Sequence, residues 1–392
     1  MTSTIHVVKE VEQLVPQILQ WRRYLHENPE LSYEEKATAD FVYNQLISFG
    51  NLIVTRPTKT SVLAVLKGHL PGDCLAFRAD MDALPIQEET NLPFASKVAG
   101  VMHACGHDGH TAMLLGAAKI LSTLQHAIKG EIRFIFQHAE ELFPGGAKEM
   151  VAAGVVDGVD RIIGLHLFSM LPTGKIAICA GPFTANSDTF DVEIIGRGGH
   201  SSQPQDSINP ILIGSQITNV LHQIVAQKVD AKERAVLAVT EFYAGSAKNI
   251  IPERVAIGGS VRTFSQQVRA MIAQQIEQQV KHVVAAHGAD YKLSYNDGYS
   301  SVVNDVQTTA LMEDIIRQHF EPDTILHIEP FMGGEDFSAF LTKVPGVFIG
   351  IGAAFDDETL NYPHHHPKFA VNEDALAIGL KLFVHTALTF NS

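Results

Sequence analysis

At 392 residues the chain is too long for one ordinary core, so two domains are expected. Hydrophobic residues make up 46% and charged residues 18%, the composition of a compact globular protein rather than a disordered one. A formal net charge of −14 disfavours nucleic acid and anionic membrane as partners, because phosphate binding needs basic patches. No run of 18 apolar residues occurs, so no membrane span is expected. Lys9, Glu10 and Glu12 interrupt any apolar core that a signal peptide would need. The three cysteines, Cys74, Cys105 and Cys179, are too few and odd in number for a disulfide framework, which points to a reducing compartment, and a cytoplasmic location is expected because no targeting signal is seen.

In chain order, an amphipathic helix is predicted from about Val8 to Leu25. A second, from Glu34 to Phe49, follows Ser32 as cap, with Glu35 completing a capping box. Short apolar runs at Val62–Leu66, Cys74–Arg78, Ile132–Gln137 and Arg161–His166 read as buried strands. Helical patterns at His110–Leu124 and Gly146–Ala153 lie between some of them. The alternation implies an α/β domain with a mostly parallel sheet. After about Pro182 the pattern becomes strand Asp188–Gly196, helix Ile208–Ala226, strands Ala235–Tyr243 and Arg254–Thr263, helix Ser265–His287 and strand Asp290–Tyr295. This βαββαβ order is that of a ferredoxin-like unit inserted into the first domain. The α/β pattern resumes near Gly298, with strand Val347–Gly352 and a closing helix Glu373–Leu388. The expected organisation is therefore a catalytic domain of residues 1–182 and 298–392, with an inserted lid or dimerisation domain of residues 183–297.

The chemistry concentrates in Met102-His103-Ala104-Cys105-Gly106-His107-Asp108-Gly109-His110. Thiol, imidazole and carboxylate so closely spaced suggest a transition-metal site. Glu140 and Glu141 end an apolar strand, where burial is costly without a counter-charge; a metal would supply one. Adjacent residues at a turn can diverge, so one can bind metal while the other serves as base. Asp80, Asp82, Glu140, Glu141 and His166 all fall near predicted strand ends, which in open α/β sheets converge on one edge. His364, His365 and His366 offer further ligands in a Pro-flanked loop. The set is poorer in cysteine than structural zinc sites and favours an open, catalytic centre. Five candidate ligands exceed the three of a mononuclear catalytic zinc, consistent with two metals.

These residues resemble the dinuclear metallopeptidase superfamily of aminoacylases, glutamate carboxypeptidase and succinyl-diaminopimelate desuccinylase. The closer resemblance is to its amidohydrolase branch, with hippurate hydrolase, N-acetyldiaminopimelate deacetylase and the plant auxin-amino-acid conjugate hydrolases. It spans nearly the whole chain and rests on Arg22–Glu30, Arg78–Pro85, Met102–His110, Ala139–Glu141, Gly164–His166, Gly198–His200, Asn249–Pro252, Gly333–Phe337 and His365–Phe369. The resemblance implies Cys105, His107, Glu141, His166 and His365 as ligands of two divalent metals. His365 is chosen from the triple histidine because it stands two residues before Pro367. Zinc or manganese is the expected pair, with cobalt or nickel as alternatives. It further implies Asp80 as the residue that orients a ligand histidine, Glu140 as general base, and His200 as an oxyanion donor supplied by a neighbouring subunit. Asn249 and Arg262 would bind the substrate carboxylate. His138 departs from the family pattern, which often has proline there.

The expected function is metal-dependent hydrolysis of N-acyl amino acids to a carboxylic acid and a free amino acid, by a homodimer or larger homo-oligomer. The alternative within the same chemistry is a peptidase acting on dipeptides or longer peptides. A remote alternative is a non-catalytic metal-binding protein; it would have been signalled by loss of Glu140 or a ligand, and none is missing.

Overall fold

The computed structural model describes the backbone of residues 2–390 and the side chains of residues 9–390. The chain forms two compact units. The first comprises the chain up to Phe183, Val302–Glu329 and the chain from Asp336 onward; the second comprises Thr184–Ser301 and Pro330–Glu335.

The first unit opens with helices α1 (Thr2–Glu27) and α2 (Lys36–Phe49) and strands β1 (Ile53–Thr55), β2 (Val62–Lys67) and β3 (Leu70–Asp80). There follow α3 (His107–Thr123), β4 (Lys129–Gln137), α4 (Gly146–Ala152), β5 (Arg161–Pro172), β6 (Ile176–Ile178) and β7 (Gly181–Pro182). The second unit holds β8 (Asn186–Ile195), β9 (Gly199–His200), α5 (Pro210–Lys228), β10 (Ala235–Ala244), β11 (Ile250–Ile251), β12 (Arg254–Thr263), α6 (Gln266–Ala286) and β13 (Asp290–Tyr299). The chain returns to the first unit with β14 (Val303–Asn304), α7 (Val306–His319), β15 (Ile325–His327), α8 (Ser338–Leu341), β16 (Gly346–Ala354) and α9 (Asp374–Thr389).

The large sheet has the order β1-β2-β4-β3-β5-β16-β6-β15. Its centre is parallel, from β4 through β3 and β5 to β16. The pairs β1–β2, β2–β4 and β16–β6 are antiparallel. This is a mixed α/β fold around a parallel core, as the alternating strands and helices predict. β16 is buried at every position, and its continuous apolar sequence GVFIGIGAA is what a strand covered on both faces requires. Helix α3 packs between α1 and α9. Gly116 permits that approach, since a Cβ there would stand 2.8 Å from Ile18 Cγ2 and 3.1 Å from Leu380 Cδ1.

In the second unit the strands β8, β10, β12 and β13 form an antiparallel sheet of order β10-β12-β8-β13, the ferredoxin-like arrangement predicted from βαββαβ. Residues of β8 alternate in burial, so Phe190, Val192 and Ile194 meet Ile213, Ile217 and Leu221 of α5 and Ile272 and Ile276 of α6. Asn209 caps α5 through the Ile211 N–H, and Ser265 caps α6 through the Val268 N–H.

Three local expectations change. No capping box starts α2: the Ser32 hydroxyl donates to Asp82, and the Glu35 carboxylate accepts from the Tyr33 and Ala139 N–H groups. Tertiary hydrogen bonds to buried partners outcompete the local cap there. Strand β5 runs on to Pro172, so His166 lies inside a strand, paired with Gly350, rather than beyond its end. Residues 330–335, which the sequence reading assigns to the first domain, belong to the second unit. There Ala185 donates to the Gly333 carbonyl at 2.9 Å, and Gly334 sits against Ser187.

Candidate metal centre

The parallel strands β4, β3 and β5 lie side by side, so their C-terminal ends share one edge of the sheet. β3 delivers Asp80 as its last residue and Asp82 just beyond. β4 ends at Gln137, and the following turn carries Glu140 and Glu141. Ala139 has φ +49°, an uncommon conformation for a side chain with a Cβ, and the Glu35 carboxylate holds its N–H at 2.7 Å. Gly106, at φ +89°, caps α3 and lets the chain turn sharply between Cys105 and His107. His365 enters from the loop before α9 with φ +65°, its N–H donating to the Ala104 carbonyl.

These elements bring together all five side chains expected as ligands. Cys105 Sγ is 3.5 Å from His166 Nε2, and His365 Nε2 is 3.3 Å from Glu141 Oε1. His107 Nε2 is 3.8 Å from Glu141 Oε1 and 3.7 Å from Asp80 Oδ2. Ligand atoms of Cys105, His107 and His166 form one close group, those of Cys105, Glu141 and His365 a second, and those of His107, Glu140 and Glu141 a third. Cys105 belongs to two of these groups.

The hydrogen bonds around the histidines fix which nitrogen each presents. His107 Nδ1 faces the Asp82 carbonyl at 3.0 Å and Asp82 Oδ1 at 3.1 Å; both only accept, so Nδ1 carries the proton. In the neutral ring that a cation would favour, Nε2 is then the lone pair, and it is buried without a hydrogen-bond partner. His166 Nδ1 donates to the Leu167 carbonyl at 2.9 Å, which leaves its Nε2 a lone pair toward Cys105. His110 is different. Its Nε2 accepts the Leu167 N–H at 2.8 Å and its Nδ1 donates to Asp80 Oδ1 at 2.6 Å, so both nitrogens are used and it has none left for a cation.

This geometry corrects the role expected of Asp80. The residue that orients ligand-type His107 through Nδ1 is Asp82, which also accepts the Glu141 N–H at 2.9 Å and so ties two of the five side chains together. Asp80 holds His110 and is itself held by buried Arg78 at 2.6 Å. Arg78 also donates to Gln137 and Asp336. Asp108 serves the scaffold, since its carboxylate takes Arg22 and His26 of α1. His138 pairs with Glu149 at 3.0 Å. Sequence reasoning missed His110 and the role of Asp82. The available signals were the i, i+3 spacing of His107 and His110 on one helix face and the Asp-x-Asp pair at a strand end.

Burial pushes the His107 imidazole down, but Asp80 and Asp82 outweigh it and raise it to about 10. Burial, with His110 and His364, holds His166 well below the ordinary histidine range. Burial and the Glu141 and Glu140 carboxylates push the Cys105 thiol well above its usual value. These are the signs of a site designed around positive charge: carboxylates and a thiol crowd together with only imidazoles to balance them. A divalent cation inverts each preference by favouring thiolate, carboxylate and neutral imidazole. The separations fit it too. Ligand bonds of about 2.0–2.3 Å put tetrahedral neighbours roughly 3.3–3.8 Å apart, wider than most hydrogen bonds.

The remaining expected site residues lie in the second unit. His200, on β9, is exposed, and its Nδ1 accepts the Ser202 N–H at 3.2 Å, so its Nε2 carries the proton. Asn249 is exposed, and its carbonyl accepts the Ser201 N–H. Arg262 of β12 is half-buried and donates to the Asp188 and Val261 carbonyls, while the Asp188 carboxylate is occupied by Arg269. Among the described residues, no helix is long and apolar enough to cross a membrane.

A parallel sheet edge bearing metal-ligand side chains beside a second carboxylate is the frame of a metallohydrolase. Residues 76–389 match the model of peptidase family M20/M25/M40, and the chain belongs to that family. It is 56% identical over 294 residues to an N-acyl-L-amino acid amidohydrolase of Geobacillus stearothermophilus, covering 75% of this chain and 80% of the relative. It is 39% identical over 390 residues to thermostable carboxypeptidase 2 of Saccharolobus solfataricus, covering 98% of this chain and 97% of the relative. Among solved structures, the Bacillus subtilis YXEP protein, described as a dinuclear metal binding peptidase from the M20 family, superposes with a TM-score of 0.83 at 35% identity. That match covers 97% of this chain and 99% of the other.

Proposed function

We propose that this chain hydrolyses the amide bond of N-acyl amino acids, releasing a carboxylic acid and a free amino acid. The observation that carries the reading is the convergence of Cys105, His107, Glu141, His166 and His365 beside Glu140. The amidohydrolase relative at 56% identity supports the substrate class. The five side chains would hold two divalent cations, zinc or manganese first. Such cations would supply Lewis acidity to polarise the amide carbonyl and to acidify water.

Glu140 takes a proton from the attacking water and returns it to the leaving nitrogen. Asp82 keeps His107 in the tautomer that presents Nε2, and fixes Glu141 through its backbone. His200 supplies an N–H to the developing oxyanion from a neighbouring copy; the Ser202 contact, which keeps the proton on Nε2, supports that role. Arg262 and Asn249 take the substrate carboxylate, a bidentate task for which guanidinium is suited. The second unit would thus act as lid and dimerisation surface, and the active protein would be a homodimer at least, working in the cytoplasm.

The carboxypeptidase relative favours a second reading, peptide hydrolysis by the same residues. A panel of N-acetyl and N-benzoyl amino acids and free dipeptides, assayed on chelated protein with and without added manganese or zinc, separates the two. Metal-dependent release from blocked amino acids is expected; release from dipeptides alone moves the assignment to peptidase. For His200, mixing the separately inactive His200→Ala and Glu140→Gln proteins should restore part of the activity, whereas no recovery despite subunit exchange refutes a contribution from the neighbouring copy.

A further inference from the structure

We propose that His364 is a positioning residue of the same centre, its Nδ1–H donating a hydrogen bond to the Cys105 sulfur. The inference rests on the reading of Cys105 as a metal ligand. Two imidazoles flank that sulfur: His166 with Nε2 at 3.5 Å and His364 with Nδ1 at 3.6 Å. They are not equivalent. The proton of His166 is committed to the Leu167 carbonyl through Nδ1, so its Nε2 has nothing to donate and faces the sulfur as a lone pair. His364 has no such commitment. Its Nε2 is buried without a hydrogen-bond partner, and its ring is packed against Phe168, Phe369 and the His166 ring at centroid distances of 5.7, 5.0 and 5.2 Å. In that apolar slot the sulfur is the one partner within reach of its two nitrogens among the described residues. A thiolate only accepts, so the tautomer that satisfies His364 is the one with the proton on Nδ1.

The triple histidine thereby divides its labour. His365, on a left-handed backbone, stands 3.3 Å from Glu141, and its predecessor meets the thiol at 3.6 Å. A hydrogen bond to a metal-held thiolate withdraws charge from the sulfur, stabilises it against protonation and fixes its direction.

The test loads the full-length protein with cobalt(II) and records the sulfur-to-cobalt charge-transfer absorption, the bound cobalt per chain and the cobalt affinity by chelator competition. The variants are His364→Phe, which removes the donor, His364→Asn, whose amide nitrogen stands near the place of Nδ1, and Cys105→Ala. His364→Leu replaces the Phe variant should that one fail to fold. The expected result is a charge-transfer band moved to lower energy and an affinity roughly tenfold or more weaker in the donor-less variant. The Asn variant should stay near wild type, and both His364 variants should keep the full cobalt content. A band that vanishes in Cys105→Ala but does not move in His364→Phe overturns the proposal alone. A wild-type spectrum without a sulfur band overturns the Cys105 assignment and the proposal with it. Loss of one cobalt from both His364 variants overturns the proposal in favour of direct ligation by His364.

Discussion

Each unit buries a cluster of charged side chains, and the two clusters are completed differently. In the second unit Asp188 is fully enclosed and fully answered: Arg269 holds both oxygens, the Tyr295 hydroxyl donates at 2.8 Å and the Gly298 N–H at 2.9 Å. In the first unit His107 Nε2 and Glu141 Oε1 are buried with no hydrogen bond, in the middle of carboxylates and a thiol. Buried polar groups are normally satisfied, so the first pattern marks a strut and the second a site that awaits a ligand. Burial and charge alone would have ranked the two alike. What separates them is whether the lone pairs are spent.

Mutations sharpen that contrast. His107→Ala should abolish turnover and remove bound metal, while Asp188→Ala should leave the metal content of folded protein unchanged; metal analysis after dialysis reads both. Glu140→Gln should lower kcat by about 10²–10⁴-fold with metal content unaltered, because it removes a proton carrier and no ligand. Asp188→Ala should cost about 3–5 kcal/mol in stability, because it removes the buried carboxylate partner of Arg269; denaturant unfolding measures it.

Glu35 offers a pH probe of the first unit. Burial raises its carboxyl to about 7 from an ordinary 4.5. The folded state therefore binds the proton more tightly than the unfolded chain, and its contribution is complete below pH 4.5 and is lost as pH rises through about 7. Glu35→Gln should flatten that decline, by up to about 3 kcal/mol, in unfolding curves taken across the window. The smallest effect is expected at Arg262. Its replacement by alanine should raise KM by roughly tenfold for substrates with a free carboxylate and leave the corresponding amides almost unchanged.

Much of this was legible in the residues. The α/β alternation and the βαββαβ segment follow from apolar runs of strand length separated by helical periods. The residues that gather at the centre are those the dense Cys105–His110 motif and the Glu140–Glu141 pair single out. What stayed hidden depends on direction rather than composition. Asp80 and Asp82 are two residues apart across the end of a strand, where alternation stops, so the sequence does not say which one meets His107. His107, His110 and His166 are three histidines of one type, yet a backbone N–H or carbonyl decides which can bind a cation. His365 has a positive φ, which no pattern in the residues signals. The attachment of residues 330–335 to the second unit involves a loop hydrogen bond and a close glycine contact, neither of which carries a periodic signal.

The most direct test of the central claim measures metal content and hydrolysis of an N-acyl amino acid on the same samples of wild type and Glu140→Gln, after reconstitution with zinc or manganese. The account predicts two metals per chain in both proteins and turnover in wild type alone. Equal turnover by Glu140→Gln, or hydrolysis by wild type that persists after its metal has been removed, would contradict it.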